Sequence, residues 1–141
     1  MKGLIKTVNN TELIGASSSV IAEEAVKILI EKKGIDVRLY DVREKTSVTD
    51  FYINVTGRSN THVSSLADDV VTLLEERGVI AQRVEGRRGN EWLLVDYTDV
   101  IINVFDRKSR EFYNLDRHFA EGSLVDITEL IAEVDKKFET K

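Results

Sequence analysis

The segment Glu91-Trp92-Leu93-Leu94-Val95-Asp96-Tyr97-Thr98-Asp99-Val100-Ile101-Ile102-Asn103-Val104-Phe105 carries the reading of this fold. Two apolar runs, roughly 91–96 and 100–106, flank Tyr97-Thr98, and that pattern predicts an antiparallel hairpin. Thr98 is β-branched and resists positive φ, so a two-residue turn would be strained and a slightly longer loop is expected. Upstream, Val37 to Val42 reads as a short strand, and Phe51, Ile53 and Val55 alternate with Tyr52 and Asn54 in a second. A third is expected at about 80–85. Between the second and third strands, Val63, Leu66, Ala67, Val70, Val71 and Leu74 form one apolar helical stripe, which Ser59 or Asn60 can cap and Gly78 ends. A first helix carries Ile21, Ala25, Ile28 and Leu29 at i, i+4, i+7 and i+8, with serines to cap it and Gly34 to stop it. Phe112 to Leu115 reads as extended or turn-like, and Ile127, Leu130, Ile131, Val134 and Phe138 mark a closing amphipathic helix at about 126–138.

The order is therefore α-β-β-α-β-β-β-α. A helix between strands two and three allows a parallel crossover, while the later hairpin demands antiparallel pairing. The expected class is α/β, a single mixed five-stranded sheet flanked by helices. Residues 1–18 read as an N-terminal extension, 19–121 as the α/β domain, and 122–141 as a C-terminal helix packed on or next to it.

At 141 residues, with 42% hydrophobic and 32% charged side chains, the chain is long enough to bury a core and has an ordinary globular balance. Cysteine is absent, which excludes disulfides, thiolate metal sites and cysteine nucleophiles. No signal-peptide core is evident, and no apolar run approaches the ~20 residues of a membrane span. A cytoplasmic protein is expected. The net charge of −5 argues against bulk binding to naked nucleic acid and fits a basic protein partner.

Chemistry-bearing residues are few. Gly57-Arg58-Ser59 entering a helix could bind an anion, but one glycine and one serine fall far short of a phosphate loop, and a capped junction is the better reading. A nucleotidyl-transfer site would need Ser59, Asp68, Asp69 and a divalent metal. Neighbouring helix residues such as Asp68 and Asp69 do not converge on one ion, so the enzyme reading is set aside. His62 is expected to be a solvated surface residue, and neither it nor His118 belongs to a metal-ligand pair. No cofactor or metal is expected. Arg83, Arg87, Arg88, Arg107, Lys108 and Arg110 would form a phosphate-contacting patch if their loops share an edge, and are otherwise solvated loop charges. Trp92, Phe105, Phe112, Tyr113 and Phe119 make the last third rich in aromatics; Trp92, beside a polar loop, can be core or binding anchor on its chemistry alone.

Several motifs, taken together and in order, resemble a known family. They are Asp36-Val37 with Tyr40-Asp41-Val42, Val48-Thr49-Asp50-Phe51-Tyr52-Ile53 with Thr56-Gly57-Arg58-Ser59-Asn60, and His62-Val63 with Ala67-Asp68. The last is Glu85-Gly86, Trp92, Asp96, Asp99-Val100, Val104-Phe105, Arg110, Phe112-Tyr113 and Leu115-Asp116. Over roughly residues 20–121 the chain resembles the ribosomal silencing factor family (RsfS, Iojap-like). That resemblance implies a mixed α/β fold distantly like nucleotidyltransferases but without their catalytic carboxylates. It implies a non-enzymatic translation repressor that binds the large ribosomal subunit through its fourteenth protein and sterically blocks subunit joining. It also implies a homodimer off the ribosome, with at most a minor ribosomal RNA contact. A role in large-subunit assembly would share the same partner, and a small metal-dependent nucleotide-binding enzyme is the remaining alternative. Carried over by motif, Trp92, Tyr113 and Leu115 fall at or next to the partner surface, and Glu85, Asp99 and Arg110 at charged positions that pair with or orient toward it. The chain departs from the family pattern at Asn103, where histidine is common, at His118-Phe119, where Leu-Trp is common, and at Thr98, where glycine is usual.

Overall fold

A computed structural model describes residues 12–87, 89, 91–119 and 123–139. The expectations for residues 1–11 and Arg88, and for the side chains of Arg87 and Phe138, lie outside what it describes. The chain runs through α1 (Ser18–Glu31), β1 (Ile35–Asp41), β2 (Phe51–Thr56), α2 (Asn60–Glu76), β3 (Arg83–Arg87), β4 (Trp92–Asp96) and β5 (Val100–Phe105). Two short helices follow, α3 (Arg107–Tyr113) and α4 (Leu115–Phe119), then β6 (Leu124–Val125) and α5 (Thr128–Glu139). The strands form one mixed sheet in the order β3-β4-β5-β2-β1-β6, with β2 and β5 parallel and every other pair antiparallel. The sheet has six strands where the sequence predicts five. The sixth, β6, has only two residues pairing with Leu39 and Tyr40, too short for any period to register.

Each helix end has a local cause. Ser17 caps α1 by accepting from the Val20 N–H, and the Ser59 hydroxyl accepts from the His62 N–H at the start of α2. Gly78, at φ 98°, takes the left-handed position after α2. After α1 that position falls to Lys33, at φ 71°, while the Gly34 N–H bonds back to the Leu29 carbonyl. Gly34 serves close packing instead: a Cβ there would lie 2.6 Å from Val55 Cγ2.

Period-two alternation sorts the strands into two faces. Leu39, Phe51, Ile53, Val55, Leu93, Val95, Ile102 and Val104 point to a core completed by Ala22, Ala25, Val26 and Leu29 of α1 and by Val63, Leu66, Val70 and Leu74 of α2. Helix α5 lies along α1, with Val134 buried and Lys137 paired with Glu31 at 2.6 Å. Ahead of α1, the Leu13 side chain enters the core and its N–H bonds to the Arg77 carbonyl, while Glu12 pairs with the Arg77 guanidinium. The opposite face presents Tyr40, Tyr52, Asn54, Thr56, Trp92, Leu94, Ile101, Asn103 and Phe105. Among the described residues, only α3 and α4 sit over part of it.

Three expectations are corrected. Residues 112–115 are not extended. Asp106 caps α3 by accepting from Ser109 N–H at 2.8 Å, and Asn114, at φ 49°, turns the chain into α4. In the β4–β5 loop, residues 97–99, Thr98 does not avoid positive φ: Tyr97 N–H bonds to the Val100 carbonyl, Asp99 N–H bonds to the Tyr97 carbonyl, and Thr98 takes φ 74°. That is a γ-turn centred on a β-branched residue. Finally, His62 is buried. Its Nδ1 accepts from Arg58 N–H at 2.9 Å, so Nε2 carries the proton it shares with the Lys32 carbonyl at 3.0 Å. The ring ties the β2–α2 turn to the end of α1.

Candidate binding surface

The Trp92 indole stands on the second sheet face at the start of β4. Its ring lies 5.1 Å from that of Phe105, its partner across the β4–β5 ladder, and 4.6 Å from that of Tyr113 at the end of α3. Phe112 meets Tyr113 edge to face at 5.0 Å. Phe112 is 80% exposed and Tyr113 41% exposed, an unusual outlay of aromatic surface to water. With Glu91, Asp106, Lys108 and Ser109, the three aromatics Trp92, Phe112 and Tyr113 line an open hollow of about 620 Å³. Apolar walls with charged groups at the rim suit a partner's side chain better than a reacting substrate.

Beneath the hollow runs a chain of buried polar groups. Trp92 Nε1 donates to Asn103 Oδ1 at 3.0 Å, Asn103 Nδ2 to Asn54 Oδ1 at 3.1 Å, and Asn54 Nδ2 to Asp116 Oδ1 at 3.1 Å. Arg110 grips both Asp116 oxygens, at 2.9 and 3.1 Å, and its remaining nitrogen donates to the Asp36 carbonyl at 2.7 Å and Thr56 Oγ1 at 3.0 Å. The Tyr40 hydroxyl donates to the same carboxylate at 2.8 Å. Burial pushes the Asp116 carboxyl up, but hydrogen bonds from Arg110, Asn54 and Tyr40 outweigh it and hold it at about 2. Burial, and then the bond to Asp116, push the Tyr40 phenol up to about 12.

Of the residues singled out in the sequence, Trp92 and Tyr113 come together in the hollow. Glu85 is exposed on β3, opposite Leu94 on the same face and paired with Arg83 at 2.8 Å. Leu115 opens α4 half-buried, outside the lining of the hollow. Asp99 is exposed in the β4–β5 turn, at the far end of β4 from Trp92. Arg110 does not face outward: at 7% exposure its guanidinium is spent on Asp116, Thr56 and backbone carbonyls. Among the described residues the basic side chains form no single patch. Arg83 is neutralised by Glu85 and Asp96, Arg110 is buried, and Arg107 and Lys108 stay exposed. Phe112 belongs with the site, and its neighbour Tyr113 was the available signal. The Asn54–Asn103–Asp116 chain left a fainter trace, an asparagine in the middle of each of two apolar strands.

Two N–H groups at the start of α2 are already engaged, that of Arg58 by His62 and that of His62 by Ser59. Asp68 is exposed on the outer side of α2, and among the described residues no group of three or more His, Asp or Glu side chains could hold a metal ion.

Comparison with known proteins places the fold in a family. The family model described as "Ribosomal silencing factor during starvation" matches residues 16–141. The ribosomal silencing factor RsfS of Haemophilus influenzae is 34% identical over 100 residues, covering 71% of this chain and 98% of that protein. The chloroplastic protein Iojap of Zea mays is 26% identical over 107 residues, 75% of this chain and 46% of that protein. A crystal structure of a Chromobacterium violaceum protein superposes with a TM-score of 0.70 at 33% identity, covering 73% of this chain and 86% of that one. With that match across nearly its full length, and a sheet and helices that superpose on a homologue, the chain belongs to the ribosomal silencing factor family.

Proposed function

We propose that this protein is a non-enzymatic repressor of translation that docks on the large ribosomal subunit through its fourteenth protein and blocks subunit joining by occupying the shared surface. The observation that carries the reading is the exposed pair Phe112 and Tyr113 beside Trp92, on a sheet face that α3 and α4 only partly cover. Inside the fold Phe112 meets Tyr113 edge to face, and most of its ring is left to water. Burying it against a partner would contribute roughly 2 kcal/mol, enough to make it a dominant anchor. Leu94 and Ile101, both half-buried, extend the apolar surface from the hollow along the sheet. Glu85 and Glu91 supply negative charge for a basic partner, and Asp99 and Leu115 belong to its periphery. Arg110 serves by holding α3 in place. Arg107 and Lys108 are the groups available for a minor contact with ribosomal RNA.

A steric mechanism needs no catalytic group. Among the described residues no helix is long and apolar enough to cross a membrane. On the family resemblance we assign the protein to the cytoplasm, where the same apolar face would support a homodimer off the ribosome.

The test is co-sedimentation with isolated large subunits, with and without small subunits. Binding together with fewer joined ribosomes is the expected result. Binding that leaves joining of mature subunits intact would point instead to an assembly role. Phe112→Ala should weaken binding by more than ~1 kcal/mol while the melting temperature stays at the wild-type value. Undiminished affinity in that variant would remove the hollow from the interface.

A further inference from the structure

We propose that Asn103, Asn54 and Asp116 are positioning residues for the hollow, a relay that sets the orientation of Trp92 and aligns it with the wall carried by α3. The inference rests on the partner-binding reading of that hollow.

Its polarity is forced from both ends. An indole N–H can only donate, and an ionised carboxylate can only accept. Between them stand two amides, each with one accepting and one donating end, buried in adjacent parallel strands as direct partners. Only one arrangement satisfies every group: Asn54 turns its NH2 to Asp116 and its oxygen to Asn103, and Asn103 turns its NH2 to Asn54 and its oxygen to Trp92. Reversing either amide would set two acceptors or two donors face to face in a buried site. The carboxylate of Asp116 thus reaches the indole across β2, β5 and β4.

The same carboxylate also fixes the opposing wall. Arg110 lies two and three residues before Phe112 and Tyr113 on α3, and its forked grip on Asp116 sets where that helix sits over the sheet. Its third nitrogen pins it to the Asp36 carbonyl and Thr56. One half-buried anion therefore orients Trp92 through two amides and Phe112-Tyr113 through one guanidinium. A side chain of the partner entering the hollow would meet walls already set, which lowers the ordering cost of binding.

Trp92 is the chain's only tryptophan, so its fluorescence reports the relay directly. Asn103→Leu removes the indole's acceptor and breaks the chain. Asn103→His keeps one accepting and one donating nitrogen and should restore it. We expect Asn103→Leu and Asp116→Asn to move the emission maximum and raise acrylamide quenching while circular dichroism stays native, with Asn103→His close to wild type. Affinity for large subunits should fall about tenfold in the first two and hold in the third. Wild-type emission and quenching in Asn103→Leu would overturn the proposal, as would altered emission with unchanged affinity. Asp116→Asn leaves the Arg110 charge less compensated; if it fails to fold, the Leu and His variants at Asn103 decide alone. Should wild-type protein not bind large subunits at all, the functional reading falls, and the fluorescence comparison still decides whether the relay holds the indole.

Discussion

Thr98 carries a conformation that its side chain opposes. At φ 74° a β-branched residue is held by the Asp99 N–H bond to the Tyr97 carbonyl and by its own N–H bonding to Asp96 Oδ1 at 2.7 Å. The left-handed region costs an L residue about 1–2 kcal/mol, partly offset by the chain entropy that glycine would add to the unfolded state. Thr98→Gly should therefore raise stability by about 1 kcal/mol, read as a later urea midpoint at unchanged m. Asp116 makes the opposite kind of contribution. Its carboxyl is held at about 2, below its ordinary 3.8, so the folded state favours the ionised form. That stability is fully present above the unfolded pKa and is lost as pH falls from about 4 toward 2. It amounts to something on the order of 2 kcal/mol. Urea titrations at pH 5 and pH 2.5 should show a larger acid loss in wild type than in Asp116→Asn, isolating this group from the other carboxylates. Neither effect was open to prediction from sequence, since each depends on neighbours tens of residues away or on a turn the sequence disfavours.

Among the elements, β2 and α2 meet backbone against backbone at their junction. A Cβ on Gly57 would lie 2.8 Å from both the Val63 N and Cγ2 and 3.1 Å from Val63 Cα, so the helix start presses directly on the turn. Gly57→Ala should destabilise by about 1–3 kcal/mol, because backbone and not a flexible side-chain end must give way. Thermal melts would register it, and the variant should still superpose on wild type by circular dichroism. Helices α1, α2 and α5 and strands β1, β2, β4 and β5 were legible because each carries enough apolar residues for its period to show; β3, expected at about 80–85, lies at Arg83–Arg87, where Val84 is the one apolar side chain and no period marks the bounds. The positions of α3 and α4 were not legible. Seven and five residues with adjacent aromatics have no helical stripe, and α3 is held by Asp106 at its start and by Arg110 reaching Asp116, Asp36 and Thr56.

For the molecule entire, the asymmetry of the sheet matters most. One face is sealed by α1 and α2, and the other keeps a gap beside α3 where Trp92, Phe112 and Tyr113 meet water. The chain as a whole carries a net charge of −5, which should steer a basic partner toward the protein. Raising salt from about 0.05 M to about 0.5 M should slow association with large subunits while changing dissociation little, because long-range attraction is screened and contact packing is not. Stopped-flow mixing would separate the two rates; a salt-independent on-rate would show that the negative charge plays no part in recognition.

Family, mixed topology and main core were written in local patterns: period-two strands, one strong helical stripe, and ordered motifs from Asp36 to Asp116. Those signals survive in one dimension because burial of a strand or helix face repeats along the chain. The path of Arg110 from charged segment to buried staple, the seclusion of His62, and the chain linking Trp92 to Asp116 were settled only on folding. Each depends on pairing residues from separate strands and helices, and hydrogen-bond partners of that kind leave no period to read.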